Sequence, residues 1–217
     1  MAGNSYYYRK LHSLLGIIPV GMFLIFHLVS NYSAFEKGHA GFIEQVEFIN
    51  SLPFVLALEI FGIYLPLLYH GVYGLYMAYT SRNNVNNYGY FRNVMFMLQR
   101  VTGVITLLFV VWHVFETRVQ VALGIVSHDE LGVRMHEIAT QPWAFALYII
   151  GIVAAVFHFS NGIWSFLVSW GITVGPRAQK VSGYICMIFF VVLSVIGILA
   201  ITAFTGAEFQ DTSVLNQ

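Results

Sequence analysis

The chain is 217 residues long, 58% hydrophobic and only 9% charged, with a formal net charge of zero. About a quarter of the residues of a soluble domain are charged, so the deficit points to lipid. The neutral balance removes the electrostatic basis for binding nucleic acid, and Cys186, the only cysteine, excludes disulfides, zinc clusters and cysteine-ligated iron–sulfur centres within the chain.

In chain order, Arg9 and Lys10 precede an apolar run that superficially resembles a secretory signal. The run is long, no clear small-residue cleavage site follows it, and further apolar segments come after, so it reads as an uncleaved signal-anchor helix. A bilayer takes about 20 apolar residues to cross, and five segments qualify: 11–33, 55–80, 94–121, 142–169 and 180–205. Polar connections are expected from Glu36 to Ser51, from Ser81 to Asn93, from Ser127 to Gln141, and from Gly171 to Gln179 with its Gly-Pro pair. There is no repeat of solenoid period and no room for a soluble domain. The fold class is all-α integral membrane, with 1–217 as a single transmembrane domain of five helices.

Basic residues set the orientation. Arg9, Lys10, Arg82, Arg92, Arg100, Arg177 and Lys180 fall at one set of helix ends, whereas Lys37, Arg118 and Arg134 fall at the other. An excess of Lys and Arg marks the cytoplasmic side, so the N-terminus is expected in the cytoplasm and the C-terminus outside. All ten acidic residues, from Glu36 to Asp211, then lie on the outer side.

Four histidines stand inside the apolar segments: His27 in FLIFHLVS, His70 in LPLLYHGVYGLYM, His113 in FVVWHVFE and His158 in AVFHFSNG. Ionisable residues at membrane depth are costly and by default functional. With 1.5 Å of rise per residue, His27 lies roughly 24 Å above the cytoplasmic face, His113 about 20 Å or more, His158 about 18 Å and His70 about 15 Å. They sort into an outer pair, His27 with His113, and an inner pair, His70 with His158. Two layers of facing imidazoles suit two b-type haems, because two axial histidines give a six-coordinate, electron-transferring iron. The first four long helices then form the haem-binding core, with the fifth beside it.

Small residues are expected to make room for a flat macrocycle. Gly74 and Gly162 each follow a histidine by four residues and share its face. Gly103 and Thr106 share a face with His113, and Gly16 with His27. Small residues also occur wherever membrane helices pack. Proton relays use histidine too, but usually recruit Asp, Glu or Lys at depth, and none stands there in this chain. Arg92 and Arg100 near the cytoplasmic face are candidate partners of haem propionates, although positive-inside flanking accounts for them as well. His12 is a candidate for a propionate, a partner subunit or interfacial anchoring. His39, His128 and His136 read as surface histidines of the outer loops.

The pieces RKLHSLLG at 9–16, FH at 26–27, YHGVYG at 69–74, QRVTG at 99–103 followed by His113, and HFSNGIWSF at 158–166 occur in a specific order and spacing. On them, nearly the full chain resembles the di-haem cytochrome b membrane-anchor subunit of succinate dehydrogenases of the Bacillus type. The resemblance implies two haem b groups held by four histidines in the pairing above. It also implies flavoprotein and iron–sulfur partner subunits, menaquinone as electron acceptor, and a place in the bacterial cytoplasmic membrane. Electrons then pass from succinate through the partners to the inner haem, the outer haem and the quinone. The chain has neither a dinucleotide fingerprint nor a cysteine set, so succinate is not oxidised on it. The anchor of a fumarate reductase, or of another respiratory dehydrogenase such as a hydrogenase or formate dehydrogenase, shares these features, and a transporter or haem-free anchor shares the spans. For the quinone, the outer carboxylates Glu59, Glu44 and Glu47 are the candidates, with Trp112 and Trp143 as possible stacking rings. Each also reads as an ordinary interfacial residue.

Overall fold

The computed structural model describes residues 2–82 and 85–210, with the side chains of residues 2–4 left aside. Asn83, Asn84 and Asp211, placed above in polar connections or at the outer side, lie outside the described residues. The described chain is helical: α1 (Ala2–Ile17), α2 (Pro19–Ser51), α3 (Val55–Leu58), a π-helical stretch (Glu59–Tyr64), α4 (Leu65–Thr80), α5 (Phe91–Val114), a second π stretch (Phe115–Val119), α6 (Gln120–Ala122), α7 (Leu131–Ala139), α8 (Pro142–Ser169), α9 (Pro176–Ala203) and a 3-10 turn (Ala207–Phe209). Among the described residues five helices are long and apolar enough to cross a membrane: Ser5–Ser51, Val55–Thr80, Phe91–Ala122, Pro142–Ser169 and Pro176–Ala203. Large apolar side chains such as Phe61, Leu108, Val111 and Ile188 are exposed on them, as a lipid solvent favours.

The departures from the expected spans have local causes. Pro19 has no N–H to give to the helical ladder, and the helix assignment lapses at Ile18, although the Met22 amide still donates to the Ile18 carbonyl at 3.3 Å. Residues 36–51, expected as a loop, are helical on both sides of a break at Gly38, whose φ of +64° is a left-handed conformation open to glycine. Phe42, Ile43 and Val46 repeat at helical spacing there, and the first two are buried. The expected loop 127–141 contains α7, which buries Met135, Ile138 and Ala139. Proline also starts α8 at Pro142 and α9 at Pro176, where its missing N–H costs nothing. Pro66 stands two residues past the end of the first π stretch. A proline in a helix interior removes one ladder bond and crowds the preceding turn, which accounts for the widened turns at 59–64.

By internal contacts the chain divides into two units. The first consists of Met1–Leu24, Leu56–Leu107 and Ala154–Val192, the second of Ile25–Val55, Leu108–Val153 and Leu193–Gln217. In the first unit α1 packs on α4, Val156 and Ser160 are fully enclosed, and Phe157 and Phe159 meet Phe190 and Phe189 edge to face. In the second, Phe204 is central. It meets Phe42 and Phe209 at ring separations of 5.0 and 4.9 Å, and its carbonyl accepts from His136 Nδ1 at 2.8 Å. His136 is therefore a packing residue rather than a surface one. His39 is likewise buried, against Phe209 at 5.1 Å and with Gly132 close behind its ring. Only His128 of the three is exposed.

Candidate functional site

The first unit brings His70 of α4 and His158 of α8 together, with ring centroids 6.0 Å apart and planes at 81°. Each ring is held in the same way. His70 Nδ1 donates to the His12 carbonyl at 2.9 Å, and His158 Nδ1 donates to the Gln99 carbonyl at 2.9 Å. Donor and acceptor are 58 residues apart in one case and 59 in the other. A carbonyl only accepts, so Nδ1 carries the proton and Nε2 presents a bare lone pair, the form that binds a metal.

One helical turn past each acceptor stands a glycine, Gly16 after His12 and Gly103 after Gln99. A Cβ on Gly16 meets His70 Nδ1 at 2.6 Å, and one on Gly103 meets His158 Cε1 at 2.7 Å. The imidazole edge therefore occupies the space a side chain needs. A helical carbonyl has two lone pairs and is already used by the amide four residues on. The missing side chain at that position lets an imidazole reach the second lone pair. Sequence reasoning gave Gly16 to His27 and Gly103 to His113, but each lies against a histidine of the inner pair.

Gln99 does more than lend its carbonyl. Its amide donates to the His158 carbonyl at 2.9 Å and its side-chain oxygen accepts from Asn161 at 2.6 Å, while Asn161 also reaches the Met95 carbonyl at 3.3 Å. This clamp of α5 on α8 was missed from sequence, although polar Gln and Asn inside apolar helices were its visible signal. His12 stacks on His70 at 4.0 Å with planes 7° apart, and its Nδ1 is buried without a hydrogen-bond partner among the described residues. Gly74 lies against this ring, where a Cβ comes 3.2 Å from His12 Cε1, and Gly162 lies by the Gln99 amide at 3.4 Å. Arg92 donates to Gln179 at 2.5 Å and sits over Trp164. Arg100 is half-buried on α5 next to Gln99.

The second unit brings His27 of α2 and His113 of α5 together, with centroids 5.7 Å apart and planes at 72°. Their supports differ. The Asn31 amide donates to the His27 carbonyl at 2.8 Å and lies 3.4 Å from Nδ1. His113 Nδ1 is 3.0 Å from the hydroxyl of Tyr148. The Phe109 ring stacks near His113 at 5.8 Å, with Gly151 leaving room for Phe109. Trp112 rests on Tyr148 at 5.2 Å and on Trp143 at 5.9 Å.

A metal–imidazole bond of about 2 Å on each side of one ion sets two ring centroids about 6 Å apart, and rotation about that bond leaves the plane angle free. Both pairs have this spacing. Among the described residues no group of three His, Cys, Asp or Glu forms a metal site. Two protein ligands are too few for a closed protein-only site, and they suit a metal whose remaining ligands come from a macrocycle.

The carboxylates proposed for a quinone are separately placed. Glu59 opens the first π stretch in the first unit. Glu44 pairs with Lys37 at 3.4 Å across exposed surface. Glu47 lines an open pocket of about 280 Å³ with Ile43, Val46, Asn50, His128 and Asp129. The Ser127 hydroxyl holds the Asp129 carboxyl below its ordinary range.

Residues 83–204 match the family described as succinate dehydrogenase/fumarate reductase transmembrane subunit. The succinate dehydrogenase cytochrome b558 subunit of Bacillus subtilis (strain 168) is 53% identical over 205 residues, covering 94% of this chain and 100% of that protein.

Proposed function

Since the chain belongs to the family of succinate dehydrogenase/fumarate reductase transmembrane subunits, we propose that it carries electrons from an iron–sulfur subunit to a quinone through two bis-histidine b haems. It is a multi-pass membrane cytochrome b subunit of a bacterial succinate dehydrogenase, which makes haem b its cofactor and gives it an anchoring role. The reading goes further in assigning His70 and His158 to one iron and His27 and His113 to the other. The observation that carries it is the pair of imidazole–imidazole separations near 6 Å.

When bound, haem iron supplies one-electron chemistry at a potential set by its axial ligands and their hydrogen bonds. The chain's own residues do the holding. The carbonyls of His12 and Gln99 fix the tautomer and the plane of His70 and His158, and Gly16 and Gly103 admit the rings. His12 Nδ1, buried beside His70, and the half-buried Arg100 guanidinium next to Gln99 are the groups we assign to haem carboxylates. Gly74 and Gly162 act one step removed, by making room for His12 and Gln99.

We assign the N-terminus and the His70/His158 haem to the cytoplasmic side, a reading supported by the excess of basic residues at one set of helix ends. His70 and His158 would hold that haem on the side of the flavoprotein and iron–sulfur partners, where it would supply one-electron chemistry, and we read the whole chain as one transmembrane domain. We assign menaquinone to the outer side, with Glu47 in its pocket as the proton-exchanging carboxylate. Glu44 is tied to Lys37, and Glu59 is the second choice. The 53% identical relative is a succinate dehydrogenase subunit, which favours succinate oxidation over fumarate reduction as the physiological direction.

The test is a redox-difference spectrum of the purified complex with haem counted per chain. Two b haems are expected. His158→Ala and His70→Ala each remove one spectral component, and His27→Ala and His113→Ala each remove the other. A His158→Ala protein that keeps both haems refutes the pairing.

A further inference from the structure

Tyr148 stands out among the groups that the reading above leaves without a role. It is only 3% exposed, it comes from α8, and its hydroxyl is 3.0 Å from His113 Nδ1. The same hydroxyl is 3.7 Å from the Met135 sulfur. A phenol has one proton to give, and a thioether only accepts. With the hydroxyl proton directed at Met135, its oxygen lone pair faces His113, Nδ1 is the donor, and Nε2 is left bare. Tyr148 thus does for His113 what the carbonyls of His12 and Gln99 do for His70 and His158.

The nearby charges leave this arrangement undisturbed. Glu116, one turn past His113, accepts from Arg134 Nη2, and Arg134 also donates to the Glu116 carbonyl at 3.4 Å and to Glu137 at 2.9 Å. Both Glu116 and Arg134 are close enough to act electrostatically on Tyr148. Because the guanidinium engages it, the carboxylate does not compete for the imidazole proton, and the phenol remains the acceptor.

We propose that Tyr148 is a positioning residue for His113: its hydroxyl fixes the ligand's tautomer and, as hydrogen-bond acceptor, sets the reduction potential of the haem that His27 and His113 hold. This rests on the bis-histidine reading. A ligand that donates its second ring proton to an acceptor is a more basic ligand, and a more basic ligand favours the oxidised iron. Removing the acceptor raises that potential.

The experiment is a potentiometric titration of the purified complex carrying Tyr148→Phe, which keeps the ring and deletes the hydroxyl. The component lost in His113→Ala is expected to become easier to reduce by several-fold up to about tenfold, the latter being about 59 mV for one electron. The component lost in His158→Ala stays in place. No shift, a shift in the opposite direction, or an equal shift of both components overturns the proposal. If Tyr148→Phe assembles without the His113 haem, a difluorotyrosine installed at position 148 keeps shape and hydroxyl while weakening the oxygen as an acceptor. A rise in the same component supports the proposal and an unchanged potential overturns it. A parent complex lacking a haem that depends on both His27 and His113 refutes the bis-histidine reading itself, whereas an intact parent with an insensitive variant refutes only the role of Tyr148.

Discussion

Replacing Gly103 with alanine is expected to weaken or abolish the haem held by His70 and His158 while sparing the other. The new Cβ stands 2.7 Å from His158 Cε1 and 3.0 Å from Nδ1, distances that force the ring away. The ring cannot retreat freely, because Nδ1 is bonded to the Gln99 carbonyl at 2.9 Å on the same helix. Overpacking of this kind costs about 1–3 kcal/mol, and the lost hydrogen bond adds about 1 kcal/mol. The total of about 2–4 kcal/mol corresponds to a roughly thirtyfold to nearly thousandfold loss of haem affinity. Gly16→Ala acts on His70 in the same way, since a Cβ there comes 2.6 Å from Nδ1. Gly62→Ala is the control, because nothing lies within 4 Å of the added carbon. Haem per chain by pyridine haemochrome, read alongside the two-component redox spectrum, decides the matter. Full occupancy and unchanged potentials in Gly103→Ala and Gly16→Ala sink the argument that these glycines admit the ligand rings.

Gln99→Leu leaves the Asn161 amide without its 2.6 Å acceptor and removes a bond to the His158 carbonyl; the expected loss is about 1–3 kcal/mol, seen as a lower melting temperature and a broadened signal from the His158 haem. Gly38→Ala places a side chain at φ +64° and a Cβ 2.7 Å from Glu208 Oε2, so about 1–2 kcal/mol of backbone strain is expected to lower thermal stability without altering either haem spectrum. Glu47→Gln is expected to slow quinone reduction by the intact complex while leaving succinate-dependent haem reduction at its parental rate. If both rates are parental, the assignment of Glu47 fails.

The sequence revealed which histidines meet because depth along a membrane helix is simple arithmetic and no Asp, Glu or Lys stands at that depth beside them. It did not reveal what holds them. The acceptors for His70 and His158 are backbone carbonyls, which carry no residue signature. Which carbonyl an imidazole reaches depends on how α1 turns toward α4 and α5 toward α8. Helical spacing put Gly16 on the face of His27, but a shared face is not a shared depth. Eleven residues of helix rise about 16 Å, enough to move Gly16 to a different ligand. Tyr148 went unnoticed because an isolated tyrosine in an apolar helix resembles ordinary packing. The helices within 36–51 and 127–141 were legible in the spacing of Phe42, Ile43 and Val46 and of Met135, Ile138 and Ala139. Their charged residues drew the reading toward loops instead.

The form of the ligand support follows from the solvent. In water-soluble metalloproteins a carboxylate often receives the second proton of a ligating histidine. In a bilayer a carboxylate at that depth is expensive, and its own titration adds a second charge state to the site. A backbone carbonyl does not titrate, is present on every residue, and already points along the helix. Its one drawback is steric, because the side chain four residues on stands over the free lone pair. Glycine at that position removes the obstacle, which explains why His12 is followed by Gly16 and Gln99 by Gly103. His113 has Tyr148 instead, and a phenol likewise remains neutral. Three of the four rings therefore have neutral acceptors for Nδ1: two backbone carbonyls and a phenol. It follows that introducing a carboxylate, as in Tyr148→Glu, is expected to reduce haem loading rather than strengthen ligation. A Tyr148→Glu protein with full haem content and a lowered potential argues that water, not lipid, sets the conditions around His113.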